Sequence, residues 1–458
     1  MKNKTFLGFL RTVGLTLAIV MLACTPIVLT SCNFLPQGYE GDASAQEEQT
    51  APEIIISDKL NLPEYIQDLI ELDHIYKYYS YDGIDEQTMK KAMLKAYIEA
   101  TGDPYAEYLD AEEYLEYFSE KSGEFVGVGV SVVNTVIEIS GYKYKVLQIV
   151  SVFKDSPALE AGLRAGDCVV YVGGGDERVL VDLIGYTEAV ERIRGTEGTA
   201  AEFTVFRPSG SDYEEIEFSI TRKKVVSSSV NYRVSETDKS IGIVNVTEFD
   251  DTTPVQFTEA VDTLKAQGCE YFVFDMRNNP GGALDSIETV LSYFLDKGDL
   301  IVSTEYSESL KGHNYSDYVR VKRYQSPYEC YNVTAQDIGK YKDLKDKCVV
   351  LVNENTASAA ELFTATFRDY ELAKIVGKTT YGKGCMQTLF PLDDYGLEGG
   401  LKLTVAMYFS KSHTNYHGIG IKPDVEVDLS DEAKAINFFL LTEDKDDQMQ
   451  AAFAELLK

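Results

Sequence analysis

The chain of 458 residues sets 43 Lys and Arg against 74 Asp and Glu, a formal net charge of −31 with histidine neutral. Such an acidic balance excludes general phosphate-backbone binding, so nucleic acid is not an expected partner and any membrane contact falls to apolar groups. A hydrophobic fraction of 44% with 11% aromatics excludes global disorder, and 34 Gly with 12 Pro exclude a collagen-like chain. At about 150 residues per domain the length allows roughly three domains.

Residues 1–32 read as an export signal: Lys2, Lys4 and Arg11 precede an apolar run from Thr12 to Thr30. The run ends in Leu29-Thr30-Ser31-Cys32, which resembles a bacterial lipobox, with Cys32 as the acylated residue after cleavage. The alternative is an uncleaved membrane helix, which Pro26 would interrupt. Either reading places the bulk of the chain outside the cytoplasm, anchored to the cell membrane. Cys24 belongs to the signal, while Cys168, Cys269, Cys330, Cys348 and Cys385 are scattered singly, so no metal site, cofactor or disulfide framework is expected.

Residues 33–52 are small, polar and acidic and read as a linker. Over residues 53–122 the spacing of Leu62, Ile66, Leu69 and Ile70, then of Met89, Met93, Leu94, Tyr97 and Ile98, predicts a helical module with a stop at Gly102-Asp103-Pro104. Such a module suits self-association into a homo-oligomer.

Residues 123–224 carry short β-type runs separated by Gly- and Pro-containing turns, with one amphipathic stretch from Leu183 to Ile193. Phe125-Val126-Gly127-Val128-Gly129, followed by Ser156-Pro157-Ala158-Leu159-Glu160-Ala161-Gly162-Leu163-Arg164-Ala165-Gly166-Asp167, resembles a PDZ domain of the protease-associated kind. The resemblance implies that the Gly-containing loop aims N–H groups at a peptide's C-terminal carboxylate while the peptide adds as a strand.

Over residues 225–430 strands alternate with helices: Ile241 to Val246 with Thr253 to Gln267, Tyr271 to Met276 with Leu284 to Leu295, and Cys348 to Val352 with Ala357 to Arg368. That alternation predicts a largely parallel sheet flanked by helices. Residues 306–345 read as an irregular surface excursion, and residues 431–458 as a C-terminal helix.

Three loops of this domain leave the carboxyl ends of strands, where open parallel sheets gather their sites. They are Arg277-Asn278-Asn279-Pro280-Gly281-Gly282, Asn353 to Glu361, and Tyr381-Gly382-Lys383-Gly384-Cys385-Met386-Gln387. Ser358 falls near a helix N-terminus, whose free N–H groups favour a developing oxyanion. A serine hydroxyl needs a base, and His74, His313, His413 and His417 stand in no GxSxG-like context. Lys383 is the candidate base, provided desolvation lowers it from an ordinary value of about 10.4 toward neutrality.

NENTASAAE, YGKGCMQ and DMRNNPGG, with Gly102-Asp103-Pro104-Tyr105, Leu401-Lys402-Leu403-Thr404 and His417 to Asp424, together resemble the carboxyl-terminal processing protease family along nearly the whole mature chain. The resemblance implies a multidomain α+β chain: an N-terminal helical module, a PDZ-like β-rich domain and an α/β catalytic domain of the crotonase/Clp-protease-like kind. It implies Ser358 as nucleophile, Lys383 as general base and Gln387 as the residue orienting Lys383. The oxyanion hole would come from the N–H of Ala359 and of either Gly281 or Gly282. Substrates would be exported proteins with apolar C-terminal tails. Two other readings compete: an inert peptide-binding scaffold, and a penicillin-recognising acyltransferase for which Ser151-Val152-Phe153-Lys154 fits SxxK without its companion motifs.

Overall fold

The computed structural model describes residues 63–81, 83–139, 141–209, 212–306, 318–320 and 337–458. The expected signal, Cys32 and the acidic linker lie outside the described residues, as do His313 and Cys330. Two units divide the chain, Met1–Leu69 and Ile70–Lys458. Of the first, residues 63–69 are described, and they open the helix Glu64–Tyr79. Among the described residues no helix is long and apolar enough to cross a membrane.

The helices Glu64–Tyr79 and Glu86–Glu99 bury no residue, and Leu72, Ile75, Tyr76, Met93 and Tyr97 are exposed on them. Asp85 caps the second by accepting the Gln87 N–H. Beyond Gly102-Asp103-Pro104 the expected helical run is broken by a strand, Glu107–Leu109, before helix Ala111–Ser122. That strand pairs antiparallel with Gly400–Lys402, burying Tyr108 and Leu109. Partners three hundred residues away, invisible to local periodicity, override the helical reading.

The β-rich region is entered and left through a two-stranded ribbon, Glu124–Gly127 against Lys223–Val226. Its antiparallel sheet runs in the order Val130–Ile139, Tyr142–Val152, Cys168–Val172, Ala200–Ser209, Asp212–Thr221, with Val179–Leu180 also paired to Cys168–Val172. Val130–Ile139 is therefore an edge strand. Leu147, Ile149, Val169, Phe203 and Val205 pack with Ala189 and Ile193 of helix Tyr186–Ile193. The predicted helical stretch is split at Gly185, whose φ of +84° ends Val181–Ile184 and restarts the chain in a new direction.

The central sheet has the order Val230–Val234, Ile241–Val246, Tyr271–Asp275, Cys348–Val352, Lys374–Gly377, Val425–Glu426, antiparallel at the first pairing and parallel thereafter. Both faces are covered, which is why its strands read as unbroken apolar runs. Alternate residues part between the faces. Phe272, Phe274 and Val350 pack against helices Thr253–Ala266, Leu284–Ser292 and Ala359–Asp369, whereas Val273, Val349 and Leu351 meet Met449, Ala452 and Phe453 of helix Asp447–Leu456. A second sheet joins Glu107–Leu109, Gly400–Phe409, Leu300–Tyr306 and Tyr318–Arg320, with Cys385–Pro391 also paired to Gly400–Phe409.

The C-terminal stretch is not one helix. Helical turns at Asp431–Lys434 and Asp447–Leu456 flank short 3-10 turns at Phe438–Leu440 and Glu443–Lys445. Asn437 and Asp446 impose the breaks, since each sits in an extended ψ and turns its side-chain oxygen onto N–H groups just ahead. Buried Glu443 fastens the segment: it accepts from Arg233, from Ser235 Oγ (2.7 Å) and from the N–H groups of Glu236 and Thr237. Burial alone would raise this carboxyl, but those donors outweigh it and hold it at about 2. Its folded value lies below the unfolded one, so its stabilisation is fully present above the ordinary 4.5 and is lost as pH falls through about 2. Glu443→Gln is expected to flatten the acid limb of a Tm-against-pH curve in that window, and an unchanged limb would assign the acid sensitivity elsewhere.

Candidate active site

Ser358 closes the turn between strand Cys348–Val352 and helix Ala359–Asp369 with φ +55° and ψ −117°. This backbone is costly for a residue bearing a Cβ, by about 1–3 kcal/mol, so the surroundings must hold it. They do so through Glu361, which is fully buried. Its carboxylate accepts the N–H groups of Ser358 (3.0 Å), Gly382 (2.7 Å) and Lys383 (2.7 Å) and the hydroxyl of Thr380 (2.5 Å). Burial pushes this carboxyl above its usual range against those four donors, all of which fit the ionised form. One side chain thus ties the serine loop to the lysine loop. The Ser358-Ala359-Ala360-Glu361 spacing is that of a capping box, the signal that could have singled out Glu361 from sequence.

The glycine loop is pinned to the serine loop on its other side. Asn278, at φ +59°, exchanges hydrogen bonds with Asn353 (2.9 Å each way), and the Asn279 carbonyl accepts the Ala357 N–H at 2.9 Å. Gly281 has φ +107°, and a Cβ there would lie 2.6 Å from Ser358 Cβ and 2.9 Å from the Ala359 nitrogen. Its N–H is donated to Asn279 Oδ1 at 2.8 Å. The N–H groups of Gly282 and Ala359 have no such acceptor among the described residues. Gly281→Ala is accordingly expected to lower kcat by about 10²–10³, the scale of a lost oxyanion donor, by displacing Ser358. Kinetics of a variant with parental circular dichroism check it.

Lys383 is partly buried between Gly382 and Gly384, both of which lie against the backbone of His417 to Gly420. Its Nζ stands 4.7 Å from the centre of the Tyr105 ring. With Pro104, Ala106, Glu107 and Lys402 these two residues line a cavity of about 380 Å³. Burial lowers the Lys383 pKa below 10.5 and the Lys402 charge adds to this, against the opposing pull of Cys385, Asp103 and Glu361. Burial, with Tyr381 alongside, also pushes the Tyr105 phenol up to about 12, so the ring facing the ammonium stays neutral.

Ser358 Oγ lies 3.2 Å from the buried hydroxyl of Tyr408, and among the described residues no hydrogen bond joins it to Lys383 Nζ. Gln387 Nε2 donates to Cys385 Sγ (3.2 Å) and Thr404 Oγ1 (3.1 Å), and among the described residues no hydrogen bond joins Gln387 to Lys383. Thr404 in turn donates its hydroxyl and its N–H to Asp103, each at 3.1 Å. Tyr105 and Tyr408, like Glu361, are site residues that the sequence pattern does not assign; Tyr105 stands within the Gly102-Asp103-Pro104-Tyr105 motif, and Tyr408 sits mid-strand without a local mark.

Phe125 to Gly129 lie elsewhere, against the segment Phe153 to Ala158. The Phe125 ring meets Phe153 edge-on at 5.9 Å, Val128 O accepts the Ala158 N–H, and a Cβ on Gly129 (φ +88°) would reach within 2.3 Å of Ser156 Cβ. The N–H groups of Val128 and Gly129 find no acceptor among the described residues. Ser151 sits in a sheet strand and Lys154 pairs with Glu259 at 2.9 Å, which leaves the SxxK match as chance.

A strained serine at a strand-to-helix turn, a partly buried lysine and a glycine loop packed on the serine thus meet at the carboxyl ends of the central strands. Residues 240–427 match the model of Peptidase family S41. The chain is 31% identical over 354 residues to the carboxy-terminal processing protease CtpA of Bacillus subtilis, covering 77% of this chain and 67% of that protein. It is likewise 31% identical over 369 residues to a "Probable CtpA-like serine protease" of Staphylococcus haemolyticus, covering 79% of this chain but 65% of that relative's length. It belongs to the carboxyl-terminal processing protease family. A solved Bacteroides fragilis protein, the "Putative S41 protease", shares the fold, with a TM-score of 0.52 at 16% identity over 86% of this chain and 97% of that one.

Proposed function

We propose that the protein is a serine endopeptidase that cleaves exported proteins near apolar C-terminal tails, with Ser358 as nucleophile and Lys383 as general base. The observation that carries this is the Glu361 carboxylate, which fixes the strained Ser358 backbone and the Lys383 backbone to one point. Ser358 Oγ attacks the scissile carbonyl carbon as its proton passes to neutral Lys383. The carbonyl oxygen becomes an oxyanion facing the N–H groups of Ala359 and Gly282, because the Gly281 N–H is already engaged. Collapse expels the amine, which takes the proton from Lys383, and leaves an acyl-serine; water, deprotonated by the same lysine, then releases the new carboxylate. Tail binding draws Lys383 off Tyr105 and Ser358 off Tyr408, and Gln387 then orients the lysine. Lysine as base leaves a charged ammonium in a partly buried place, which the Tyr105 ring face stabilises in the resting arrangement.

The region 123–224 acts as a PDZ domain: the free N–H groups of Val128 and Gly129, in a nest with left-handed Gly129, receive the tail's carboxylate, and Phe125, Val126 and Gly127 frame it. The chain is exported and held at the cell membrane by lipid on Cys32, and the helices Glu64–Tyr79 and Glu86–Glu99, which bury no residue, pair with a second copy. The test is cleavage of an unfolded reporter with an apolar free C-terminus, followed by intact mass. Amidating that terminus is expected to slow cleavage at least tenfold; equal rates would remove the tail from the function, and binding without cleavage would favour the inert scaffold.

A further inference from the structure

Strand Val130–Ile139 pairs on one side only, with Tyr142–Val152. Carbonyls two residues apart face the same side of a strand, so Val132 and Asn134 present theirs together. Both are occupied. The Tyr186 hydroxyl of helix Tyr186–Ile193 lies 3.5 Å from Val132 O, and Asn437 Nδ2 donates to Asn134 O at 3.1 Å. Asn437 comes from the C-terminal segment, three hundred residues away, and the next residue, Phe438, lays its ring under the guanidinium of Arg277 at 4.7 Å. Arg277 begins the loop that ends in Gly281-Gly282 against Ser358.

We infer that the free edge of Val130–Ile139 is shared between an extended apolar peptide tail and the chain's own Asn437–Phe438 segment, and that displacing this segment is how tail occupancy reaches the glycine loop. This rests on the tail-binding reading of the β-rich region. An added strand must take the carbonyls that a side chain now caps, so tail and Asn437 compete. Released from the edge, Phe438 leaves Arg277, whose loop is otherwise fixed at both ends. Asn437 is thus a regulatory competitor and Phe438 a positioning residue; neither touches the reacting atoms.

The test uses the full chain carrying Ser358→Ala and a fluorescein-labelled decapeptide with four apolar C-terminal residues and a free carboxylate. Adding Asn437→Ala is expected to tighten binding about fivefold, the scale of one hydrogen bond no longer displaced. Hydrogen exchange at saturating peptide is expected to rise in residues 435–441 and to change in residues 277–282. With Phe438→Leu the peptide still binds and loosens residues 435–441, but the response of 277–282 is lost, an outcome that mere destabilisation would not produce. Binding that is equal with and without Asn437, with residues 435–441 undisturbed, overturns the competition while leaving tail recognition standing. No binding by either form overturns tail recognition and this inference together.

Discussion

Ser358→Ala and Lys383→Met will each reduce reporter cleavage by about 10³-fold or more, and the double variant will lose little beyond either single one. Groups acting as one unit are strongly non-additive, since removing the base leaves an unactivated hydroxyl and removing the hydroxyl leaves a base without a task. Binding of the tail peptide should survive both changes, which separates lost chemistry from lost recognition. The pH dependence carries a sign. As the proposed base, Lys383 would work only when it has lost its proton, and burial first, then Lys402, place that loss below 10.5. The rate will therefore rise with pH and level off before an ordinary lysine would have titrated. Lys402→Gln removes a neighbouring positive charge, so the midpoint of this rise should move to higher pH. A midpoint indifferent to Lys402, or additive losses in the double variant, would require a different base.

Arg277→Met will be strongly destabilising. Arg277 is 3% exposed, and its guanidinium is held on several sides. It donates to Asp275 through Nε (2.9 Å) and Nη2 (2.7 Å), and to Asp446 and Gln448 through Nη1 (2.9 and 3.1 Å). Removing it strands two carboxylates in a buried place, a loss on the order of 3–5 kcal/mol, although the intact ion cluster need not stabilise the fold by that much. Arg277→Met combined with Asp275→Asn and Asp446→Asn, which removes the stranded charges, is expected to recover part of that loss in denaturant midpoint. Activity should not return with it, because the glycine loop has lost its tether. Full recovery of activity in the triple variant would show that the cluster serves stability alone.

Local sequence carried the parallel sheet and its helices because burial on both faces leaves continuous apolar runs followed by amphipathic ones. It also carried the order of the three loops, since Asn, Gly and Ser punctuate strand ends. Contacts between distant segments were not legible. Nothing near Glu107 announces a strand completed at Lys402, and nothing near Asn437 announces a partner at Asn134. The C-terminal segment has helix-forming residues throughout, yet Asn437 and Asp446 redirect it because their side chains compete with the helix for its own N–H groups. At the site, the pattern singles out Ser358 and Lys383, and the family resemblance adds Gln387, while the residue that physically joins the first two, Glu361, is masked by its role as an ordinary helix opening. The resting partners Tyr105 and Tyr408 depend on where a neighbouring strand and loop arrive in space, which no spacing rule encodes.

The ribbon of Glu124–Gly127 and Lys223–Val226 gives the β-rich region its topology. Because the chain enters and leaves side by side, after Glu107–Leu109 has already joined the sheet with Gly400–Phe409, the whole region is an insertion into one body rather than a bead between two. An insertion on paired strands can be excised and its ends rejoined by a short turn. The scaffold that carries the serine and lysine loops therefore runs on across the insertion, and a change within the inserted sheet need not disturb the register of the strands that hold those loops.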